Sequence, residues 1–122
     1  MVNCIEQSKT PIVAVGMGLV ASMAFHIYIA CKERIAFNDT IFLMHDGEQS
    51  ASSSSGKFKD IAKFFENMDN RTKQHVLKYT NIDEDFYDSH QDREFYMYAD
   101  EAKGFGCVDK IIGTDCDIDE II

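Results

Sequence analysis

Pro11-Ile12-Val13-Ala14-Val15-Gly16-Met17-Gly18-Leu19-Val20-Ala21-Ser22-Met23-Ala24-Phe25-His26-Ile27-Tyr28-Ile29-Ala30 is the stretch that decides the fold. It opens as a short apolar β-branched run, loosens at Gly16 and Gly18, and continues as an almost wholly apolar run long enough for three helical turns. The pattern predicts a buried strand, a tight turn and a buried helix. One hydroxyl, Ser22, falls where the turn becomes the helix, close to Ala21 and Ala24, whose small side chains let other backbone approach. Two roles are open to it. As a helix cap, the commoner role for a lone serine at such a place, it would satisfy a backbone N–H left free in the first turn. As a nucleophile, it would stand at the positive end of the helix dipole with the Met23 N–H directed at an oxyanion formed beside it.

The 122 residues make one domain at most, enough for a modest core but short for an enzyme with its own substrate pocket. Hydrophobic residues make up 45% and aromatics 11%, which excludes a disordered chain, and the net charge of −9 argues against a nucleic-acid partner. Cys4, Cys31, Cys107 and Cys116 form no CxxC pair, so neither a metal site nor a redox motif is indicated. Cys31 reads as a buried thiol at the end of the apolar run, which points to a reducing, cytoplasmic setting. Pro11, Gly16 and Gly18 split the apolar stretch into two elements too short to span a bilayer, and signal-peptide features are lacking, so no membrane partner is expected.

Outward from this stretch, Met1 to Lys9 reads as the last turns of a helix. A buried parallel-type strand following directly on such a helix is short of neighbours, and we expect an N-terminal truncation. C-terminally, Ile35-Ala36-Phe37 is a short strand, Asn38-Asp39 a turn, and Ile41-Phe42-Leu43-Met44 a second apolar strand ending at His45-Asp46-Gly47. The end of such a strand is where α/β folds place reactive groups. Glu48 to Ser55 is a Ser-rich loop. From Gly56 apolar residues recur at spacings of three and four through Phe58, Ile61, Phe65, Met68, Val76 and Tyr79, predicting an amphipathic helix of about six turns with His75 half-buried on its stripe. A short acid-capped helix is predicted around Asn81 to Tyr87, a strand at Phe95 to Tyr98, a helical turn at Ala99 to Lys103 and a last strand at Val108 to Ile112. The acidic tail 113–122 has no evident role. Helices alternating with apolar strands define an α/β class.

Ser22, His45 and an acid from Asp92-Arg93-Glu94 occur in that order, each at a predicted element boundary. A serine hydroxyl becomes a good nucleophile when a base takes its proton, and a histidine does so best when a carboxylate holds its tautomer and stabilises the imidazolium. His26, His75 and His90 are alternative bases. Taken together, the Thr10 to Ala24 strand and serine turn, Ile41 to His45, and Asp92-Arg93-Glu94 followed by Met97, Ala99-Asp100-Glu101-Ala102, Gly106 and Val108 to Ile112 resemble the Clp protease proteolytic subunit family, ClpP, over residues 5–112.

The resemblance implies a crotonase-like α/β fold, one partial domain over 1–122, and a serine endopeptidase in which Ser22 attacks, His45 is the base, Glu94 holds the histidine and the Met23 N–H lines the oxyanion hole. It implies no cofactor, unfolded polypeptide or peptide substrates, a homo-oligomeric ring and an AAA+ unfoldase partner. An ungapped count from Ala99-Asp100-Glu101-Ala102 puts Glu94 where the family has aspartate. Asp92 stays open as the acid, though Asp92-Arg93 also matches a pair that bridges stacked rings in the family. The segment after His45, glycine-rich with a proline in the family, is Asp46-Gly47-Glu48-Gln49-Ser50 followed by a serine run. The family's other oxyanion donor comes from a glycine pair in its N-terminal half, and the loss of one such donor costs about 2.7–4 kcal/mol. Competing readings are an assembly or scaffold subunit without turnover, a phage prohead-type protease of the same fold, and an acyl-CoA-processing crotonase, the last of which needs no Ser-His-acid set.

Overall fold

The computed structural model describes residues 1–121. After a short helix α1 (Val2–Gln7), the apolar stretch forms two strands, β1 (Val13–Gly16) and β2 (Leu19–Ala21), and then helix α2 (Met23–Ile29). One part of the expectation is corrected: Leu19 to Ala21, read as the opening of the apolar helical run, is a second strand, while the helix begins after Ser22, where the turn into it was expected. A three-residue apolar run does not distinguish the two states by periodicity, so its β pairing decides. Gly18 makes the break between β1 and β2 with a φ of 72°, conformational space open to glycine at no steric cost.

The next unit repeats the device. Strand β3 (Glu33–Phe37) passes through Asn38-Asp39-Thr40 into β4 (Ile41–Met44). The result is two parallel-paired layers, β1 on β3 and β2 on β4. The breaks are tied together where Thr40 Oγ1 donates to the Gly16 carbonyl (2.9 Å) and the Ile41 N–H to the Gly18 carbonyl (2.8 Å). Gly16 is buried there, and a Cβ on it would lie 3.2 Å from the Phe42 ring, so glycine lets the two units approach without displacing that ring.

The Ser-rich segment is coil through Ser54, and α3 (Ser55–Tyr79) runs 25 residues, about a turn longer than the stripe predicts. Val76 is its one fully buried side chain among the described residues. Helix α4 (Glu84–Ser89) is capped by Asp83, whose carboxylate accepts the Phe86 N–H at 2.7 Å. Strand β5 (Phe95–Tyr98) then adds antiparallel to β4, α5 (Ala99–Gly104) covers it, and β6 (Lys110–Ile112) adds parallel to β3. The two sheets are ordered β1-β3-β6 and β2-β4-β5. Phe25, Ile29, Phe42, Val76, Met97, Ala99 and Ala102 form the centre of the core between them and the helices.

The tail is also corrected. Asp115 accepts the Ile111 N–H (2.8 Å) and the Lys103 ammonium (2.7 Å), contacts that hold its carboxyl below the usual range, and Cys116 is buried beside Ile112. Ile122 lies outside the described residues. Among the described residues no helix is long and apolar enough to cross a membrane.

Candidate active site

Ser22 stands between β2 and α2 with φ 55° and ψ −123°. A non-glycine residue in positive φ is strained, and such strain persists where the surroundings over-determine it. The strand ladder does so here: Ala21 is in register with Leu43, and the Ser22 N–H is drawn onto the Leu43 carbonyl at 3.2 Å. The side chain makes no capping bond to the helix and is exposed. The capping role is therefore not the one Ser22 plays. The first-turn N–H groups of α2, Met23 foremost, have no carbonyl partner inside the helix.

The parallel ladder that pairs Ala21 with Leu43 brings the end of β2 and the end of β4 together, and Ser22 and His45, which follow those two strands, line one cavity without a hydrogen bond between them. The partner of His45 is set by β5. The antiparallel ladder pairs Ile41 with Tyr98 and Met44 with Phe95, so one further step sets His45 opposite Glu94. Their side chains meet: the His45 Nδ1–H donates to Glu94 Oε1 at 2.9 Å. Asp92 is two residues beyond that step, in a turn with φ 58°, and its N–H donates to Asp46 Oδ2 at 2.7 Å. Of the two acids left open by the sequence, Glu94 is the one in contact with His45. A Glu reaches because it leaves the strand directly opposite the histidine.

Ser22, Met23 and His45 share a cavity of about 360 Å3 with Gly47, His26 and His75. His75 sits half-buried on the stripe of α3, as its spacing predicts, and its Nε2–H donates to the His26 carbonyl at 2.8 Å. His90, the remaining histidine, stacks on Phe86 with ring centroids 4.2 Å apart and does not line this cavity. Two features are not legible in the sequence. Asp46, one residue after His45, ties the Asp92 turn to the end of β4. His26, which the sequence offers only as an alternative base, is a wall of the cavity. Its spacing of four from Ser22 was the available signal, since it sets both on one helical face.

Comparison with known proteins assigns the lineage. Residues 1–115 match the Clp protease family, and the chain belongs to that family. It is 30% identical over 121 residues to ATP-dependent Clp protease proteolytic subunit 3 of Rhizobium johnstonii, covering 95% of this chain and 61% of that protein. It is 28% identical to ATP-dependent Clp protease proteolytic subunit 2 of Treponema denticola (92% and 57%) and 29% identical to subunit 2 of Borreliella burgdorferi (98% and 62%). The chain thus spans about three-fifths of the length of the curated relatives it matches.

Proposed function

We propose that this chain is a ClpP-like serine endopeptidase subunit acting on unfolded polypeptide. Ser22 is the nucleophile, His45 the general base, Glu94 the residue that orients it, and the Met23 N–H an oxyanion donor. What supports this above all is the His45–Glu94 bond at 2.9 Å, with His45 lining the same cavity as the strained Ser22 turn. With Nδ1–H committed to the carboxylate, His45 keeps Nε2 as the proton acceptor. As Ser22 Oγ bonds to the substrate carbonyl carbon, its proton passes to His45 Nε2, and the negative charge on the carbonyl oxygen is met by the Met23 N–H. When the intermediate collapses, the C–N bond breaks and His45 returns the proton to the leaving amine. Water then enters by the same path in reverse and releases the acid. No cofactor is needed.

The names of the relatives, ATP-dependent Clp protease proteolytic subunits, support two further parts of the same proposal, a homo-oligomeric assembly, which we take to be a ring, and an ATP-driven AAA+ partner that delivers unfolded chains, and to these we add a cytoplasmic location. The free thiols of Cys4, Cys31, Cys107 and Cys116 fit that location. A second reading, an assembly subunit without turnover, is favoured by the position of Ser22 just past the end of an edge strand, since β2 pairs with β4 alone among the described residues.

A fluorophosphonate probe separates the two. Labelling of the 122-residue chain at Ser22, slow because one identified oxyanion donor serves where such sites use two, is expected, with a loss of at least about 10^3-fold in Ser22→Ala. No labelling of the unsubstituted chain, or equal labelling of Ser22→Ala, would favour the assembly reading.

A further inference from the structure

The cavity beside Ser22 has a polar wall that the proposed reaction does not use. His26 lies one helical turn beyond Ser22, its N–H bonded to the Ser22 carbonyl (3.3 Å), and is only 9% exposed. Its ring packs against Phe25 and His75 at centroid distances of 5.7 and 5.6 Å, and Nδ1 is enclosed with no hydrogen-bond partner among the described residues. A leucine would fill this place in an apolar helix without leaving a polar atom unsatisfied. Burial, reinforced by His75 and His45, pushes the ring's pKa down to about 4, so the imidazole is neutral near pH 7 and has one N–H and one lone pair. An enclosed N–H without an acceptor is the costlier orphan, so the lone pair belongs on Nδ1 and the proton on Nε2. With Nδ1 enclosed, Nε2 is the nitrogen left to face the cavity, and it faces it as a donor.

We propose that His26 is a specificity-determining residue, whose Nε2–H donates to the side-chain amide oxygen of a glutamine or asparagine at the residue whose carbonyl Ser22 attacks. This rests on the peptidase reading. Met23 and Met68, also on the cavity wall, offer apolar cover for the methylene stem. Asp69 Oδ1 accepts the Gln49 Nε2–H (3.0 Å), which leaves Oδ2 to accept from the amide N–H. A carboxylate side chain is disfavoured, because Asp46 and Asp69 outnumber Arg71 around the same cavity. An aliphatic side chain would leave the His26 donor desolvated and unpaired.

The test uses two peptides of one sequence, ending in glutamine or in the near-isosteric norleucine, titrated as product ligands into the Ser22→Ala chain carrying 15N-labelled histidine. The glutamine peptide is expected to bind at least about fivefold more tightly, the worth of one net hydrogen bond. It should shift the His26 Nε2 resonance, and the preference should vanish in His26→Leu. Equal affinities, no binding of either peptide, an unmoved resonance, or a preference that survives His26→Leu would each overturn the proposal. If His26→Leu does not fold, the affinity ratio and resonance shift with His26 present decide alone. Probe labelling of the unsubstituted chain is read separately. Labelling without a glutamine preference removes only this inference, whereas a glutamine preference without labelling removes the peptidase reading and leaves the selectivity of the cavity.

Discussion

Strand β4 carries His45 and strand β2 leads into Ser22, and the two are held very differently. β4 lies in the middle of its sheet, paired with β2 on one edge and β5 on the other, and Phe42, Leu43 and Met44 are all buried. β2 is three residues long, paired on one edge only, and its Leu19 is 62% exposed. The proposed base and its orienting acid are therefore fixed by a complete ladder, whereas the turn of the proposed nucleophile is fixed by one main-chain bond to Leu43 and the short register beside it. The half of the site that must not wander is built into the sheet interior. The half proposed to meet the substrate sits at the rim.

The sharpest way to break this comparison is at Glu94. If the β4–β5 register fixes the base, Glu94→Gln leaves the ladder intact but removes the charge that stabilises the imidazolium, and the rate of fluorophosphonate labelling at Ser22 should fall about 10^2- to 10^4-fold. Asp92→Asn, in a positive-φ position that asparagine tolerates, should change it by no more than about twofold. The reverse ranking would mean that Asp92 orients the base and that the observed contact is incidental.

The second test asks how far the well-held half extends. Arg34, on β3, makes paired bonds to Asp109 (2.7 and 3.1 Å) and donates Nη1 to the carbonyls of Tyr79 and Gly106 (2.8 and 2.9 Å), joining β3, the end of α3 and the entry to β6. Lysine keeps the charge but not the fork. Arg34→Lys is expected to lower stability to urea by about 1.5–3 kcal/mol, the worth of a charged hydrogen bond or two, while folded protein labels at an unchanged rate. A drop in labelling with no loss of stability would show that the clamp serves the site and not the core.

The third concerns pH. His26 is pushed down from 6.5 to about 4 by burial, so between those values the unfolded chain binds the proton that the folded chain refuses. Stability is full above about pH 6.5 and falls as pH drops toward 4, by about 1.36 kcal/mol per unit and so by no more than about 3 kcal/mol. Glu6 and Asp115, whose carboxyls are held below 4.5 and 3.8 by their partners, withdraw their contributions only at lower pH. Urea midpoints between pH 7 and 4.5 should thus fall in the unsubstituted chain and flatten in His26→Leu; equal slopes would show that His26 is not the group that titrates.

Much of this was open to the sequence. Element types at Ile41 to Met44, Phe95 to Tyr98 and along the long helix follow from apolar spacing, and the Asp83 cap from residue type. The split into β1 and β2 was hidden because an apolar run containing Leu19 to Ala21 reads equally as helix, and only pairing with β4 settles it. Glu94 was readable by counting from Ala99 but not by physics, since its place opposite His45 depends on an antiparallel register between segments fifty residues apart in the chain. The Ser22 turn was legible as a position and not as a conformation: nothing in Ala21-Ser22-Met23 announces a positive φ until both β2 and α2 are fixed around it.

The smallest effect tests the rim directly. Along β1 the side chains alternate, with Ala14 and Gly16 turned inward and Val13 and Val15 outward at 46% and 44% exposed; Met17, Leu19 and Met23 extend the same apolar rim at 72%, 62% and 63%. β1 and β2 are both terminal in their sheets, so unpaired backbone groups lie beside exposed aliphatic side chains, a template for association with further chains. The isolated chain is expected to elute as oligomers on size exclusion and to bind a hydrophobic dye. Lysine at both Val15 and Leu19 removes apolar area that is already in water, so the stability of the fold should move by less than about 0.5 kcal/mol per site. Association should nonetheless drop, because a charge facing an incoming strand must be desolvated or repelled. Light scattering and dye fluorescence on the double variant, at matched concentration, decide the matter. A monomeric unsubstituted chain with no dye binding would mean that the β1–β2 rim is shielded by some feature other than pairing, and the contrast between the two halves of the site would lose its physical basis.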